Sequence, residues 1–139
     1  MSFGLPYEFV NDKEIVDLIG KPSELLVVDV RDEDFLFTKD TQGGNIKGAK
    51  NVPSRSFLDG VHNLVKESEE IPKVVFHCAL SQVRGPKSAR IYAETRKNLL
   101  PDAKPQQIYV LRGGFTQFQA KYGDQSALVE NYRKELWEC

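Results

Sequence analysis

Apolar residues recur along this chain in two rhythms, and the change from one to the other marks out its elements. Leu25-Leu26-Val27-Val28-Asp29-Val30 runs almost continuously apolar, as do Val74-Val75-Phe76 and residues 107–111. A half-exposed strand would alternate, so these stretches read as strands covered on both faces, with residues 25–30 central. Residues 46–52 predict a further short strand or extended segment, stopped by Pro53. Elsewhere apolar side chains return at helical spacing. Asn11-Asp12-Lys13-Glu14 has the form of a capping box ahead of Ile15, Val16, Leu18 and Ile19, and Gly20 and Pro22 end that helix. Residues 54–70 predict a helix buried through Phe57 or Leu58, Val61, Leu64 and Val65, with Gly60 weakening its continuity. Residues 86–99 predict another, with Pro86 at a favoured first position. Gly113-Gly114 forms a tight turn into a helix that faces Phe115, Phe118 and Tyr122 inward. Residues 124–139 predict a last amphipathic helix on Leu128, Val129, Tyr132, Leu136 and Trp137. Strands alternating with helices make an α/β domain whose central, mostly parallel sheet carries helices on both faces.

Length changes this picture little: 139 residues form one domain, 1–139, able to bury its own core. Hydrophobic content of 40% and charged content of 28% are those of a soluble globular chain. A net charge of −1 supplies no field toward nucleic acid or an anionic membrane, so any affinity for a phosphorylated partner must be local. No apolar run approaches membrane-spanning length, and Met1-Ser2-Phe3-Gly4 does not read as a signal peptide. Two cysteines argue against a disulfide framework and for a reducing compartment, cytoplasm or nucleus.

The candidate chemistry follows the strand at residues 74–77. His77 and Cys78 open a loop, Ala79-Leu80-Ser81-Gln82-Val83, which ends at Arg84 just before the helix, so five residues separate cysteine from arginine. A helix N-terminus has unpaired N–H groups and a partial positive charge, and a loop curled over it aims further amides into a nest for an oxyanion. That field, with the Arg84 guanidinium nearby, should lower the pKa of Cys78 below the free value of about 8.5 and favour the nucleophilic thiolate. Arg84 adds a planar fork matched to two oxygens of a phosphate-like group. The chemistry implied is attack of sulfur on a tetrahedral oxyanion, with the loop and Arg84 stabilising the transition-state charge.

His77-Cys78, Ser81 and Arg84-Gly85-Pro86 together resemble the active-site loop of the M-phase inducer (cell-division-cycle) dual-specificity phosphatases. The loop is equally similar to that of fungal and plant arsenate reductases of the same rhodanese superfamily. Val28-Asp29-Val30-Arg31, the segment from Gly44 to Pro53 and Val110-Leu111-Arg112-Gly113-Gly114-Phe115 resemble the flanking family segments in the right order. The resemblance implies a rhodanese-like domain, with Cys78 as nucleophile and Arg84 as phosphate clamp. Ala79, Leu80, Ser81, Gln82 and Val83 would complete the phosphate-binding loop. Rhodanese sulfurtransferases have a loop one residue shorter, so this one fits phosphate or arsenate better than a sulfane sulfur. Ala79 and Val83 stand where the M-phase inducers carry glutamates, which leaves the loop without an acid to protonate a leaving oxygen. A phenolate, with a pKa near 10, tolerates that absence better than a serine alkoxide, and arsenate reduction needs no alkoxide leaving group.

The function implied is a tyrosine or dual-specificity protein phosphatase working through a thiophosphate intermediate. Its substrate would be a phosphorylated protein or a small oxyanion, and a cell-cycle role comes with the resemblance alone. An arsenate reductase drawing electrons from glutathione and glutaredoxin is the first alternative. A sulfurtransferase or a non-catalytic phosphate-reading module follows, although binding alone would need no thiolate. No metal or organic cofactor is implied.

Other residues invite competing readings. Asp29 and Arg31 read as a structural ion pair at a strand end. Asp32, Glu33 and Asp34 could include a mobile general acid, though acidic loop residues are more often solvated. His77 either tunes the thiolate or packs with a ring nitrogen bonded to backbone, the second being favoured. Ser81 either donates to the thiolate or helps release the thio-intermediate, or else simply fits the turn. His62 reads as a surface residue, and Lys87, Arg90, Arg96 and Lys97 as a solvated helix face. Arg112 lies at the expected rim of the site, to touch phosphate or form an exposed ion pair. Cys139 could resolve an oxidised Cys78, but reads rather as an unreactive terminal thiol.

Overall fold

Five parallel strands form the central sheet. They are seen in a computed structural model that describes residues 5–32, 43–79 and 81–137. The strands are β1 (Glu8–Val10), β2 (Leu25–Asp29), β4 (Lys50–Asn51), β5 (Lys73–His77) and β6 (Gln107–Leu111), side by side in the order β1-β6-β5-β2-β4. β3 (Asn45–Ile46) and β7 (Val129–Glu130) pair separately, antiparallel. The helices are α1 (Asp12–Ile15), α2 (Phe57–Glu67), α3 (Arg84–Leu99) and α4 (Gly114–Tyr122). This is the expected α/β architecture with a parallel centre, and β2 is paired on both sides, as its unbroken apolar run requires.

Alternation within the strands sends side chains into two cores. Val28, Val30, Val74, Phe76 and Cys78 share one core with Phe57, Val61, Leu64 and Val65 of α2 and Ala89 and Tyr92 of α3. Leu25, Val27, Val75 and Leu111 share the other with Ile15 of α1, Phe115 and Phe118 of α4, and Val129. Phe57 is buried whereas Leu58 is 70% exposed, which settles the helical face of α2, and Gly60 does not interrupt it. Among the described residues no helix is long and apolar enough to cross a membrane.

Several local expectations are corrected. Asn11 makes no side-chain cap bond, and α1 is a single turn continued by a 3-10 turn, Val16–Leu18. Residues 46–52 are split: Ile46 ends β3, Gly48 turns at φ +77°, and β4 joins the central sheet. The helix expected from residue 54 begins as a 3-10 turn, Ser54–Ser56. Pro86 is the third residue of α3, not the first; the helix begins at Arg84. Among the described residues the tail is not a helix: Val129 pairs with Ile46, Asn131 turns at φ +58°, and a 3-10 turn, Lys134–Leu136, follows. The tail's apolar side chains still reach the core. Val129 is buried there, with Leu128, Tyr132 and Trp137 packed around it, so their helix-like spacing served docking.

Candidate active site

Strand β5 ends at His77, and α3 begins at Arg84, so the intervening loop leaves the carboxyl edge of the sheet at its middle strand. Open α/β sheets bind ligands at that edge, where strand ends and helix N-termini converge. Cys78 is only 3% exposed, at the bottom of the loop. Its Sγ accepts the backbone N–H of Ser81 at 3.0 Å, while its own N–H points to Ser81 Oγ at 3.4 Å. Ser81 sits at φ +58°, a left-handed conformation that folds the loop back over the sulfur. Of the readings of Ser81, the turn is what the geometry provides, with the amide, not the hydroxyl, donating to sulfur. Leu80 lies outside the described residues, and Val83, 71% exposed, points away from any core.

Gly85 follows inside the first turn of α3, buried against the strand end. A Cβ there would lie 3.6 Å from the Cys78 nitrogen and the His77 Cα. This seating brings the start of α3 against the end of β5, and a helix start is an anion-attracting end. Arg84, the first helical residue, has a side chain 39% exposed; its Nη1 donates to Asp32 Oδ2 at 3.4 Å.

A second helix end supports the loop from behind. Phe115 N–H donates to the Cys78 carbonyl at 3.0 Å, and Thr116 N–H to the Ala79 carbonyl at 2.9 Å. Gly113 at φ +80° and Gly114 at φ +57° make the turn, and a Cβ on Gly114 would collide with both of those carbonyl oxygens. Glycine is required there by close approach as well as by backbone conformation.

His77 is fully buried, with Nδ1 3.2 Å from the Cys78 carbonyl and the ring stacked on Phe115. This is the packed role favoured from sequence, although Nε2 has no partner among the described residues. Burial holds its pKa below the ordinary value, with the Arg31 charge acting the same way and Asp29 opposing. Beside it, Asp29 and Arg31 form the expected structural pair: Arg31 Nη2 reaches Asp29 Oδ2 at 2.6 Å and the Gly44 carbonyl at 2.8 Å, and its guanidinium lies 4.5 Å over the Phe115 ring. Burial pushes the Asp29 carboxyl up, but attraction to His77 and the Arg31 bonds and charge outweigh it, holding the carboxyl below its usual value.

Arg112 does lie at the rim. With Phe9, Ser81, Gln82, Gly113 and Gln117 it lines an open cleft of about 570 Å³ beside the loop. Its guanidinium stands 5.7 Å from the Phe9 ring centre, and Phe9 is 39% exposed. Of the acidic trio, Asp32 is tied to Ser54, Arg55 and Arg84, while Glu33 and Asp34 lie outside the described residues, as does Cys139. His62 is exposed as expected. Arg96 departs from its expected place on a solvated face: it is 9% exposed and its Nη2 donates to the Glu69 and Lys104 carbonyls. Phe9, Gln117 and the Asp32–Arg84 contact were missed from sequence. They come together only through the sheet order, and the Gly-Gly pair was the one local signal of a close approach.

Residues 11–121 match the model of the rhodanese-like domain family. Among relatives, the dual specificity phosphatase ibp1 of Schizosaccharomyces pombe is 32% identical over 127 residues, 81% of this chain and 88% of that protein. A solved yeast protein tyrosine phosphatase of the rhodanese family, Ygr203w, superposes with a TM-score of 0.75 at 25% identity, covering 96% of this chain and 99% of that one. The As-Sb reductase from Leishmania major superposes with a TM-score of 0.68 at 34% identity, covering 86% and 81% of the two chains. With a family model spanning four of the five strands of its central sheet, its loop and its supporting turn, the chain belongs to the rhodanese-like domain family.

Proposed function

We propose that this protein is a cysteine-dependent phosphatase that favours aryl phosphates such as phosphotyrosine. The observation that carries the reading is the placement of Cys78: its Sγ accepts an amide N–H at the bottom of a loop that ends at the first residue of α3, Arg84. In this reading the thiolate attacks phosphorus and the P–O bond to the leaving group breaks, the electron pair staying on that oxygen. Loop amides and Arg84 face the charge on the phosphoryl oxygens. Water then attacks phosphorus, the S–P bond breaks, and phosphate leaves with the thiolate restored. The reaction asks for no metal or organic cofactor.

Selectivity for a phenolate follows from the missing loop acid, since Ala79 and Val83 carry no proton to give. The cleft beside the loop suits that choice, with the Phe9 ring to stack on an aromatic side chain and Arg112 for an acidic neighbour. Phosphorylated proteins of the cytoplasm or nucleus are the proposed substrates.

Arsenate reduction is the second reading, favoured by the 34% identity to the Leishmania reductase and by the same missing acid. It would use the same sulfur and clamp, with electrons from glutathione and glutaredoxin. One preparation decides between them. Hydrolysis of p-nitrophenyl phosphate and of a phosphotyrosine peptide, abolished in Cys78→Ser, is the expected result. Arsenate-dependent NADPH consumption with glutathione, glutaredoxin and glutathione reductase, without ester hydrolysis, would transfer the assignment to the reductase.

A further inference from the structure

An arginine that clamps an oxyanion is useful only if its guanidinium is already aimed, because a free arginine side chain loses considerable rotamer freedom on binding. Arg84 is more than a third exposed, and nothing in its own helix holds it. Its one polar contact among the described residues is from Nη1 to Asp32 Oδ2 at 3.4 Å. An exposed pair at that distance adds little to stability. What it can supply is direction.

Asp32 is itself well fixed. It follows Arg31, whose backbone N–H is bonded to Asp29 Oδ1 at 3.0 Å and whose carbonyl accepts from Asn51 Nδ2 at 3.2 Å. Its carboxylate accepts from Ser54 Oγ at 2.5 Å and from the Arg55 N–H at 2.9 Å. Partial burial pushes this carboxyl up, but the bonds from Ser54 and Arg55 and the bond and charge of Arg84 prevail, holding it below the ordinary value. A lowered carboxyl pKa favours the ionised form that holds the guanidinium. A line of contacts thus runs from the end of β2, through Asp32, to the arginine at the mouth of the loop.

We propose that Asp32 is the positioning residue for Arg84. It occupies Nη1 and leaves Nε and Nη2, an edge matched to two oxygens of a tetrahedral anion. The inference rests on the reading of Arg84 as the oxyanion clamp. Asp32 also repels an arriving anion, but across solvent that repulsion is screened, whereas the loss of aim is not. Removing the carboxylate should therefore weaken anion binding.

Inorganic phosphate binding to Cys78→Ser protein, measured by calorimetry, tests this without turnover. Adding Asp32→Ala should weaken phosphate about tenfold, the scale of one charge-assisted hydrogen bond, with Asp32→Asn intermediate. In an Arg84→Ala background, Asp32→Ala should cause no further loss, because its effect passes through the arginine. Equal losses in both backgrounds would overturn the proposal in favour of a role in holding the Ser54–Arg55 turn. Unchanged or tighter binding would overturn it too, making Asp32 a latch that the anion must displace. Failure of phosphate to bind with Asp32 intact would bring down the clamp reading itself, a different result from either. In turnover, Asp32→Ala should lower kcat/KM equally for p-nitrophenyl phosphate and phenyl phosphate. A larger loss on the poorer leaving group would make Asp32 a general acid and sink the proposal.

Discussion

Two strand-to-helix turns lie side by side at the carboxyl edge of the sheet, and they use their helix ends in opposite ways. The turn from β5 to α3 is long and built around a left-handed Ser81, whose amide donates to Cys78 Sγ. The turn from β6 to α4 is a pair of glycines, and its first amides are committed to the carbonyls of Cys78 and Ala79. In the proposed function one helix end receives an outside anion, while the amides of its neighbour are used up in fixing the loop. The lesson is that an anion nest is held from both sides. The Ser81 amide faces the sulfur, and the carbonyls of Cys78 and Ala79, which would otherwise repel an anion, are tied back by a second helix.

The comparison breaks most completely at the sulfur. Cys78→Ser should lower turnover by at least about 10⁴-fold while leaving the melting temperature close to wild type, since the nucleophile is lost and the cradle remains. Single-turnover and thermal-melt measurements on one sample check both halves. Arg84→Lys comes next: a point charge replaces a fork, and kcat/KM should fall about 10²-fold, mostly through kcat. A loss confined to KM would make Arg84 a ground-state binder instead.

The glycine turn offers a sharper contrast within itself. Gly114→Ala forces a Cβ into the loop's carbonyls and should cost about 3 kcal/mol together with most of the activity. Gly113→Ala meets only the movable side chain of Gln117, so about 1 kcal/mol and near-normal turnover are expected. Equal effects would mean that the second turn does not support the first.

The last test concerns His77, between the two turns. Its folded pKa is depressed from 6.5, so below about that pH the unfolded chain binds a proton that the native state refuses. Stability should be complete above pH 6.5 and decline as pH falls below it, by up to about 1.4 kcal/mol per unit until the native ring also protonates. Urea midpoints at pH 7.5 and 5.5 measure this; a flat profile would place a proton on the buried ring without cost.

Much of this was legible in the chain because it is local. Val74-Val75-Phe76 can only be a covered strand, Cys78 and Arg84 bracket one loop, and Gly113-Gly114 announces a turn that other residues could not make. Illegible were the features that depend on a neighbour across the fold. Asn11 had the right spacing for a cap but makes no such bond, and the tail's apolar spacing suited a helix yet served docking onto α4 and β3. Arg96 looked like one more surface charge until the Glu69 and Lys104 carbonyls were placed around it.

By itself, the sequence determined the sheet's core strands, the reactive loop and the chemistry its two ends can offer, since backbone preference and side-chain type act within a few residues. Only the tertiary structure decided what holds that loop and aims its arginine. The α4 amides lie more than thirty residues beyond the loop and Asp32 more than forty before it, and no local preference can encode partners brought together solely by parallel strand order.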